Sequence, residues 1–584
     1  MNIAEQAAEL GIDQGYWDIK GEWHQLSDER LVEIIEMLAN DNIDKNRDQK
    51  KEDYFSDIPK LGWQGESAQR RIWGVQLHLY TLRSRENEGI GDFADLAIFT
   101  KLAKQMGASL VGLNPLHALF PQAPEHANPY YPSSRKALNP LYLRIAEIAE
   151  FNTEEAKDIY RDYYSQSTQN RIKQLRDSAE VDYSGVSAFK LPILEQLFKV
   201  LYSKSGEARR AEFTEFINSE KDRALFKFAI FSALSEKFPE QNWRQWPEQY
   251  RRPDSTSVEE LLPQLQERIH FHLYLQWLAQ QQLSAAAKDM LYLDMAVGND
   301  PAGADGWIDQ DSYVNSVEFG APPDDFALNG QCWGMHPLNP QQLIKDSYRS
   351  FTEVVLANMQ FATALRIDHA MALNRLYWIP DSSRAAEGTY IHYPEQELLQ
   401  ILRQQSIANH CLLIGEDLGT VPDGFSQRIN ESGILSYKLF WFQRHPDGLY
   451  KRPDLWEESA LATLGSHDIY TFAGFWNSAS KHEHNLIIDA LRDQQLWSEI
   501  ETKTDDAETL FAVLVSLHRF IARTPSRVMM VNLDDLLLET SPLNTPGTPD
   551  QSPNWRRKLS INLEDITDSR GWREVLAGVK KERP

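Results

Sequence analysis

Short apolar runs alternate along most of the chain with longer stretches in which apolar residues recur at helical spacing. Eight of these runs have the length and the β-favouring composition of buried strands. They lie at residues 72–79, 108–114, 290–295, 362–368, 411–417, 435–442, 461–468 and 527–532. Alternation of strands with helices predicts an α/β fold with a parallel sheet, and eight strands predict a closed (β/α)8 TIM barrel.

The spacing of the predicted strands is uneven. About 175 residues separate the second strand from the third, which is far more than an ordinary connection needs. The sequence between them is charged and has helical periodicity, as at 224–234 and 273–282. We therefore predict a large all-helical insertion at residues 145–285, between strands 2 and 3.

The N-terminal region is predicted to be short and helical. Ser27 can cap a helix in which Leu31, Ile34 and Leu38 share one face. Residues 41–53 are too charged to pack and are predicted to be a linker. The predicted segments are then 1–70 for the helical N-terminal region and linker, 71–144 for the first part of the barrel, 145–285 for the insertion and 286–584 for the barrel remainder with the C-terminal segment.

The charge balance restricts the partners. The chain of 584 residues has 60 basic and 85 acidic residues, which gives a formal net charge of −25. Such a field repels phosphate backbones and anionic lipids, so we expect neither nucleic acid nor a membrane as a partner. The two cysteines, Cys332 and Cys411, argue against a disulfide framework. The N-terminus lacks signal-peptide features and no run approaches a membrane span, so we predict a cytoplasmic protein.

Four of the predicted strands end in an acidic residue. These residues are Asp294, Asp368, Glu416 and Asp468. Barrel enzymes carry their chemistry at this end of the strands. Because repulsion among carboxylates at one mouth is costly, fold stability alone does not explain them. Their convergence predicts an active site.

Cleavage of a glycosidic bond requires two carboxyl groups, one as acid and one as nucleophile or base. Arg366 and Asp368 are two positions apart on a strand and share a face, so the guanidinium would keep Asp368 ionised. Taken alone, such a pair is most often a structural salt bridge. Glu416 has no basic residue within five positions and is the better candidate for the general acid. Asp468, next to His467, would stabilise positive charge on the sugar ring.

Several longer motifs are recognisable beyond these acids. They are L-Y-T-L-R-S-R-E-N-E-G-I-G-D-F-A-D-L at 79–96, N-P-Y-Y-P-S-S-R-K-A-L-N-P-L-Y-L at 128–143, G-A-P-P-D-D-F-A-L-N-G-Q-C-W-G at 320–334, and N-T-P-G-T with P-N-W-R-R-K-L at 544–559. With them the sequence resembles the 4-α-glucanotransferases called amylomaltase or disproportionating enzyme, glycoside hydrolase family 77 of the α-amylase clan. The resemblance runs from about residue 70 to 560, and 320–334 resembles the family's loop that arches over the cleft.

This resemblance implies roles for individual residues. Asp368 would be the nucleophile, Glu416 the acid/base and Asp468 the transition-state stabiliser, in agreement with the roles argued from the residues themselves. It further implies that the sugar at the cleavage point contacts Tyr130, Asp294, Arg366 and His467, and that the cleft nearby is lined by Gln331, Trp333 and Asn544.

The chain also departs from the family pattern. Ser466 stands where threonine is more usual, and Asp325 stands where some relatives carry an aromatic residue at the acceptor side. Larger relatives carry an extra β-sandwich near the N-terminus. The 71 residues before the barrel are too few for it and the helices, so we expect it to be absent.

The sequence gives no sign of a cofactor. The glycines at 89–92 lack the full dinucleotide fingerprint, and the acidic loop 298–311 lacks the spacing of a calcium loop. Histidines two positions apart, at 270–272 and 482–484, do not share a helix face. We therefore predict no nucleotide cofactor and no metal.

Together these points predict a retaining 4-α-glucanotransferase that moves α-1,4-glucan segments between maltooligosaccharides through a covalent glycosyl–aspartate ester. The acceptor would be glucose or a short maltooligosaccharide, and the Asp368 and Glu416 carboxyl groups would lie about 5–5.5 Å apart. Two alternatives remain open: an α-glucan hydrolase of the same clan and a non-catalytic glucan-binding protein. Trp333 in the arching loop favours transfer, and the presence of all three acids argues against a non-catalytic barrel.

Overall fold

In a computed structural model of the protein, eight parallel strands close into a barrel. The strands are β1 (Ile72–Leu77), β2 (Leu110–Leu113), β3 (Leu291–Met295), β4 (Ala364–Ile367), β5 (Leu412–Gly415), β6 (Ile434–Leu439), β7 (Ala460–Thr463) and β8 (Val528–Asn532). Each strand pairs with the next one in chain order, and β8 pairs with β1. The predicted TIM barrel and its eight strands are confirmed.

The structure describes most of the chain. The described residues are 2–18, 21–39, 71–203, 206–221, 223–287, 289–323, 329–381, 383–497, 506–545 and 553–584. The predicted linker at 41–53 and Asp325 lie outside these ranges, as do about half of the 71 residues before the barrel, on which the predicted absence of a β-sandwich depends.

The barrel strands are buried on both faces. Side chains at alternate positions, such as Tyr292, Ile414 and Tyr437, form one core inside the barrel. The intervening positions, such as Leu293 and Leu365, pack outward into the core shared with the helices. Burial on both faces explains why each strand appears in the sequence as a nearly continuous apolar run.

The insertion between β2 and β3 is helical, as predicted. Its helices are Lys157–Tyr163, Gln166–Asp177, Tyr183–Leu201, Glu207–Glu220, Ala224–Lys237 and Thr256–Ala286. The long last helix packs against Phe93–Met106, the helix that links β1 to β2. The division of the chain into four segments at the predicted boundaries stays a prediction.

The helices that follow β3 complete the outer layer. They are Ala304–Ile308, Pro340–Lys345, Arg349–Met359, Glu395–Ala408, Phe425–Glu431, Phe472–Ser478, Lys481–Asp493, Asp506–Ala522, Leu533–Leu536 and Arg570–Glu582. The buried Arg583 donates to the carbonyl oxygens of Ile72, Ala522 and Thr524, which ties the end of the chain to the start of β1. No helix within the described ranges has the length and apolar composition needed to cross a lipid bilayer.

A four-stranded antiparallel sheet lies outside the barrel, in the segments after β3 and β4. Its strands, in spatial order, are Thr389–His392, Arg375–Pro380, Val317–Ala321 and Gln331–Met335. The sequence pattern did not predict this sheet, and two of its strands stand in or beside the stretch expected to be an arching loop. Gln331–Met335 forms one edge of the sheet.

The N-terminal residues pack against the opposite edge of this sheet. The helices Ile3–Glu9 and Asp28–Ala39 were predicted, but the two short antiparallel strands between them, Gly15–Trp17 and Trp23–Gln25, were not. The Gly11 carbonyl accepts the N–H of His392 at 2.8 Å. The chain therefore joins the edge of the sheet through a single β-bridge, between Ile12 and Ile391, before it turns into the hairpin.

Candidate active site

Three of the four predicted acids lie where β3, β4 and β5 end at the same mouth of the barrel. Asp294 is in β3, Asp368 follows β4 directly and Glu416 follows β5 directly. Side chains at alternate positions of a strand point to the same face, which brings Arg366 and Asp368 together. Asp468 is carried by the loop after β7.

Arg366 joins two of these acids. Arg366 and Asp294 are direct partners in the β3–β4 pairing, and Arg366 Nη1 lies 2.8 and 2.9 Å from the two carboxylate oxygens of Asp294. The same nitrogen lies 2.8 Å from Asp368 Oδ1. Burial acts to lower the pKa of Arg366, but the two carboxylates outweigh it and raise this pKa well above its usual value. Asp368 therefore shares its arginine with Asp294.

Glu416 is held in a protonatable state. Burial raises the pKa of its carboxyl to about 7, with Arg366 lowering it and the charge of Asp368 raising it. Its two oxygens accept the backbone N–H groups of His369 at 2.9 Å and Leu418 at 2.8 Å. These bonds fix the orientation of the carboxyl group while leaving it able to give or take a proton near neutral pH.

Asp468 is held ionised on the opposite side of the mouth. Its Oδ2 lies 3.1 Å from His467 Nε2, and its Oδ1 accepts a hydrogen bond of 2.9 Å from the side-chain amide of Asn544. Burial acts to raise the pKa of Asp468, but His467 and Asn544 hold it well below its usual range. Its side chain nevertheless keeps 47% of its surface exposed, so the carboxylate is open to a ligand.

A hydrogen-bonded chain connects the two sides. The Tyr130 hydroxyl donates to Asp294 Oδ2 at 2.7 Å and lies 3.2 Å from His467 Nδ1. Burial acts to lower the pKa of His467, but Asp468 outweighs it and raises this pKa. A protonated His467 can donate to both Asp468 and Tyr130, so the polar contacts run without a break from Asp468 to Arg366.

Aromatic rings pack against the hydrogen-bonded residues Tyr130 and His467. The Tyr130 ring stacks on His467 with centroids 4.5 Å apart, and Trp555 lies 5.3 Å from Tyr130 and 5.6 Å from His467. His78, at the end of β1, packs against both Trp555 and His467. Sequence reasoning did not assign Trp555 or His78 to the site. The available signals were the position of Trp555 in the 544–559 motif and the polar His78 beside an apolar strand.

Gln331 and Trp333 meet the site from the four-stranded sheet. Trp333 Nε1 donates to Gln331 Oε1 at 3.1 Å, and the Trp333 ring meets the ring of His369 edge-on with centroids 5.1 Å apart. His369 follows Asp368 directly and has a φ of +46°, an uncommon conformation for a residue with a side chain. The strand therefore lies beside the nucleophile candidate, as expected for a wall of the cleft.

A cavity opens at the mouth of the barrel. Its lining includes Tyr130, Asp294, Arg366 and His467. The ten predicted site residues thus occupy one region, with Asn544 and Asp468 at its more exposed side.

The acids of the loop 298–311 are engaged in structural contacts. Asp305 accepts hydrogen bonds from Ser134 Oγ at 2.7 Å and from the Arg135 N–H at 2.8 Å, and Asp309 pairs with Lys136 at 2.6 Å. Within the described ranges, one group of three, Asp18, Glu22 and His24, brings possible metal ligands close together. That group lies on the N-terminal hairpin and not at the barrel mouth.

Comparison with known proteins agrees with these features. The family model described as 4-alpha-glucanotransferase matches residues 77–563. The 4-alpha-glucanotransferase of Haemophilus influenzae is 34% identical, over 90% of this chain and 81% of that protein. That of Mycobacterium bovis is 32% identical, over 87% of this chain and 75% of that protein. The crystal structure of amylomaltase from Corynebacterium glutamicum has the same fold, with a TM-score of 0.84 at 24% identity and 99% coverage of both chains. The resemblance predicted from the motifs is confirmed, and the chain belongs to the 4-alpha-glucanotransferase family.

Proposed function

We propose that the protein transfers α-1,4-glucan segments between maltooligosaccharides, with retention of configuration, through a covalent ester on Asp368. The observation that carries this proposal is that one mouth holds both a carboxylate paired with an arginine and a second carboxyl group whose pKa is raised by burial. Asp368 is bound by Arg366 at 2.8 Å, whereas burial raises the pKa of Glu416 to about 7. One group suits a nucleophile and the other a proton donor.

In the first step the donor glucan is cleaved. Asp368 attacks the anomeric carbon and forms the ester bond, while the Glu416 proton passes to the glycosidic oxygen of the leaving glucan. Positive charge develops on the sugar ring, and the ionised Asp468 stabilises it. Tyr130, Asp294, Arg366 and His467 hold the ring at the cleavage point through their linked polar groups.

In the second step an acceptor takes the bound segment. The ester on Asp368 is neutral, so it no longer raises the pKa of Glu416, while Arg366 still lowers it. Glu416 is then the base that removes the proton from the 4-hydroxyl of the acceptor. That oxygen attacks the anomeric carbon, the ester bond breaks and the α configuration is restored.

Transfer requires that the acceptor reaches the ester before water does. Trp333, Gln331 and Asn544 provide an apolar surface and polar groups beside the site on which glucose or a short maltooligosaccharide could be held. Sugar rings present apolar faces that stack on aromatic side chains. The location of Trp333 next to His369 supports transfer over hydrolysis.

The cellular setting is part of the proposal. A net charge of −25 argues against nucleic acid or anionic membranes as partners. The two cysteines are both free thiols, which suits a reducing compartment such as the cytoplasm.

Incubation with maltotriose tests the reaction. We expect glucose together with a ladder of longer maltooligosaccharides. If maltotriose is shortened and no longer products appear, the reaction is hydrolysis and not transfer. If maltotriose is bound but stays unchanged, an enzymatic role is contradicted. Asp368→Asn should abolish turnover, whereas the matched control Asp489→Asn, on an outer helix with an exposed side chain, should keep it.

A further inference from the structure

Two tryptophans are exposed side by side on the N-terminal hairpin. Trp17 and Trp23 are cross-strand partners, with 63% and 42% of their surface exposed. Their ring centroids are 5.2 Å apart and the planes are tilted by 56°. A cross-strand aromatic pair stabilises a hairpin modestly, and that role does not require two indoles to face water. Neighbouring exposed aromatic rings are a common feature of binding surfaces.

The hairpin that carries these rings is firmly anchored. Tyr16, next to Trp17, points to the other face and is buried, with its ring 5.4 Å from that of Tyr377. Its hydroxyl donates to the carbonyl oxygen of Ala386. His24, next to Trp23, stacks on Tyr16 at 4.9 Å. Trp17 is therefore presented from a fixed base, so little conformational entropy is lost when a ligand binds.

A polar group borders the two rings. Trp23 Nε1 donates to Gln25 Oε1 at 2.9 Å, and Gln25 lies on the same face of the hairpin as the rings. Flat apolar rings bordered by an amide match a sugar, which has apolar ring faces and a rim of hydroxyls. The net charge of −25 disfavours a nucleic acid or an anionic membrane.

The position of the hairpin relates it to the cleft. Residues 11–13 join one edge of the four-stranded sheet, and the opposite edge strand, Gln331–Met335, carries Trp333. Four strand spacings separate residues 11–13 from that strand, which amounts to about 20 Å. Tyr16 of the hairpin packs against Tyr377 on one face of the sheet, and Trp333 lies on the other face. Only a long glucan that passes around the edge of the sheet can contact both places, because a chain of three glucose units is too short.

We propose that Trp17 and Trp23 form a surface binding site for an α-1,4-glucan chain, separate from the catalytic cleft. This proposal rests on the proposed function only for the identification of the ligand as an α-1,4-glucan. The site increases the local concentration of long glucans at the cleft and leaves the turnover of short ones unchanged.

The test compares long and short substrates in the full-length protein. In Trp17→Ala/Trp23→Ala we expect the KM for amylose to rise about fivefold or more, which corresponds to about 1 kcal/mol of lost stacking. Retardation in native gels that contain amylopectin should fall in parallel, while kcat and KM for maltotriose stay within about twofold of the parent. Trp17→Phe/Trp23→Phe should restore most of the amylose affinity. Tyr202→Ala, which removes another ring with 51% of its surface exposed, serves as the matched control and should change neither value.

Three results would overturn the proposal. The first is that the double alanine variant binds amylose as tightly as the parent. The second is that it loses activity on maltotriose as much as on amylose, which would indicate that the hairpin has a purely structural role. Loss of self-association in sedimentation experiments, without a change in glucan binding, would assign the rings to contact with a second copy. Gel retardation does not depend on turnover, so the difference in retardation between the parent and the double alanine variant tests the hairpin site even if the parent protein fails to elongate maltotriose.

Discussion

Replacing Asp368 with asparagine should lower the pKa of Glu416. Burial raises this pKa to about 7, Arg366 lowers it and the charge of Asp368 raises it. The asparagine has nearly the same shape as the aspartate but no charge, and it leaves Arg366 in place. The variant therefore imitates the electrostatics of the neutral ester in the proposed second step.

The magnitude follows from the charges at the mouth. Two unit charges about 5.5 Å apart, the separation expected for a retaining pair, interact by about 3 kcal/mol at an effective dielectric constant of about 20. That energy corresponds to about two pH units. Arg366, at 2.8 Å from Asp368, already neutralises part of this repulsion. We therefore expect the Glu416 pKa to fall by about one to two units.

Infrared titration measures this shift directly. The carbonyl band of a protonated carboxyl group is followed against pH in Asp368→Asn, and the same titration of Asp368→Asn/Glu416→Gln is subtracted to isolate Glu416. The parent protein, with Glu416→Gln as its blank, gives the reference midpoint. A midpoint in Asp368→Asn that equals or exceeds the parent value would refute the electrostatic coupling on which the two-step mechanism depends.

Three further predictions concern stability and activity. Arg366→Met removes the counter-charge of Asp294 and Asp368. It should abolish transfer and lower the free energy of unfolding in urea by about 3–5 kcal/mol, and a fully stable, active variant would contradict the shared salt bridge. The folded-state pKa of Glu416 is about 7, above its unfolded value of about 4.3, so stability is lost as pH rises between these values. Glu416→Gln should therefore raise Tm relative to the parent by more at pH 8 than at pH 5.5, and an equal change at both would contradict the raised pKa. Gly571→Ala would bring a methyl group against the carbonyl oxygen of Leu536. It should cost about 1–3 kcal/mol while leaving kcat of the folded enzyme unchanged; lost turnover at full folding would show that this contact reaches the site.

The barrel could be predicted from sequence because its strands are buried on both faces. Each one stands out as an apolar run bounded by polar residues, and the acids Asp294 and Glu416 mark where such runs end. The sheet outside the barrel was missed for the opposite reason. Its strand Val317–Ala321 pairs with Arg375–Pro380, across the whole of β4, and no local pattern encodes such a distant partner.

Reasoning from the residues alone reached only the part of the site that strand geometry determines, whereas loop residues such as Tyr130 were implied by the resemblance of their motifs. Asp368 and Arg366 share a face because they are two positions apart, but the sharing of Arg366 with Asp294 depends on the register between β3 and β4. Tyr130 and Trp555 belong to loops about 400 residues apart in sequence, and only the folded chain brings their rings to 5.3 Å. The local sequence pattern does not predict this contact between the two rings.

Trapping the ester on Asp368 tests the central claim most directly. A glycosyl fluoride donor has a leaving group that needs no proton, so Glu416→Gln should still complete the first step but lacks the base for the second. Mass spectrometry of the digested protein should then find one glycosyl unit on the peptide that contains Asp368, and none in Asp368→Asn/Glu416→Gln. An adduct on another residue, or turnover to the inverted β product without any adduct, would contradict the account.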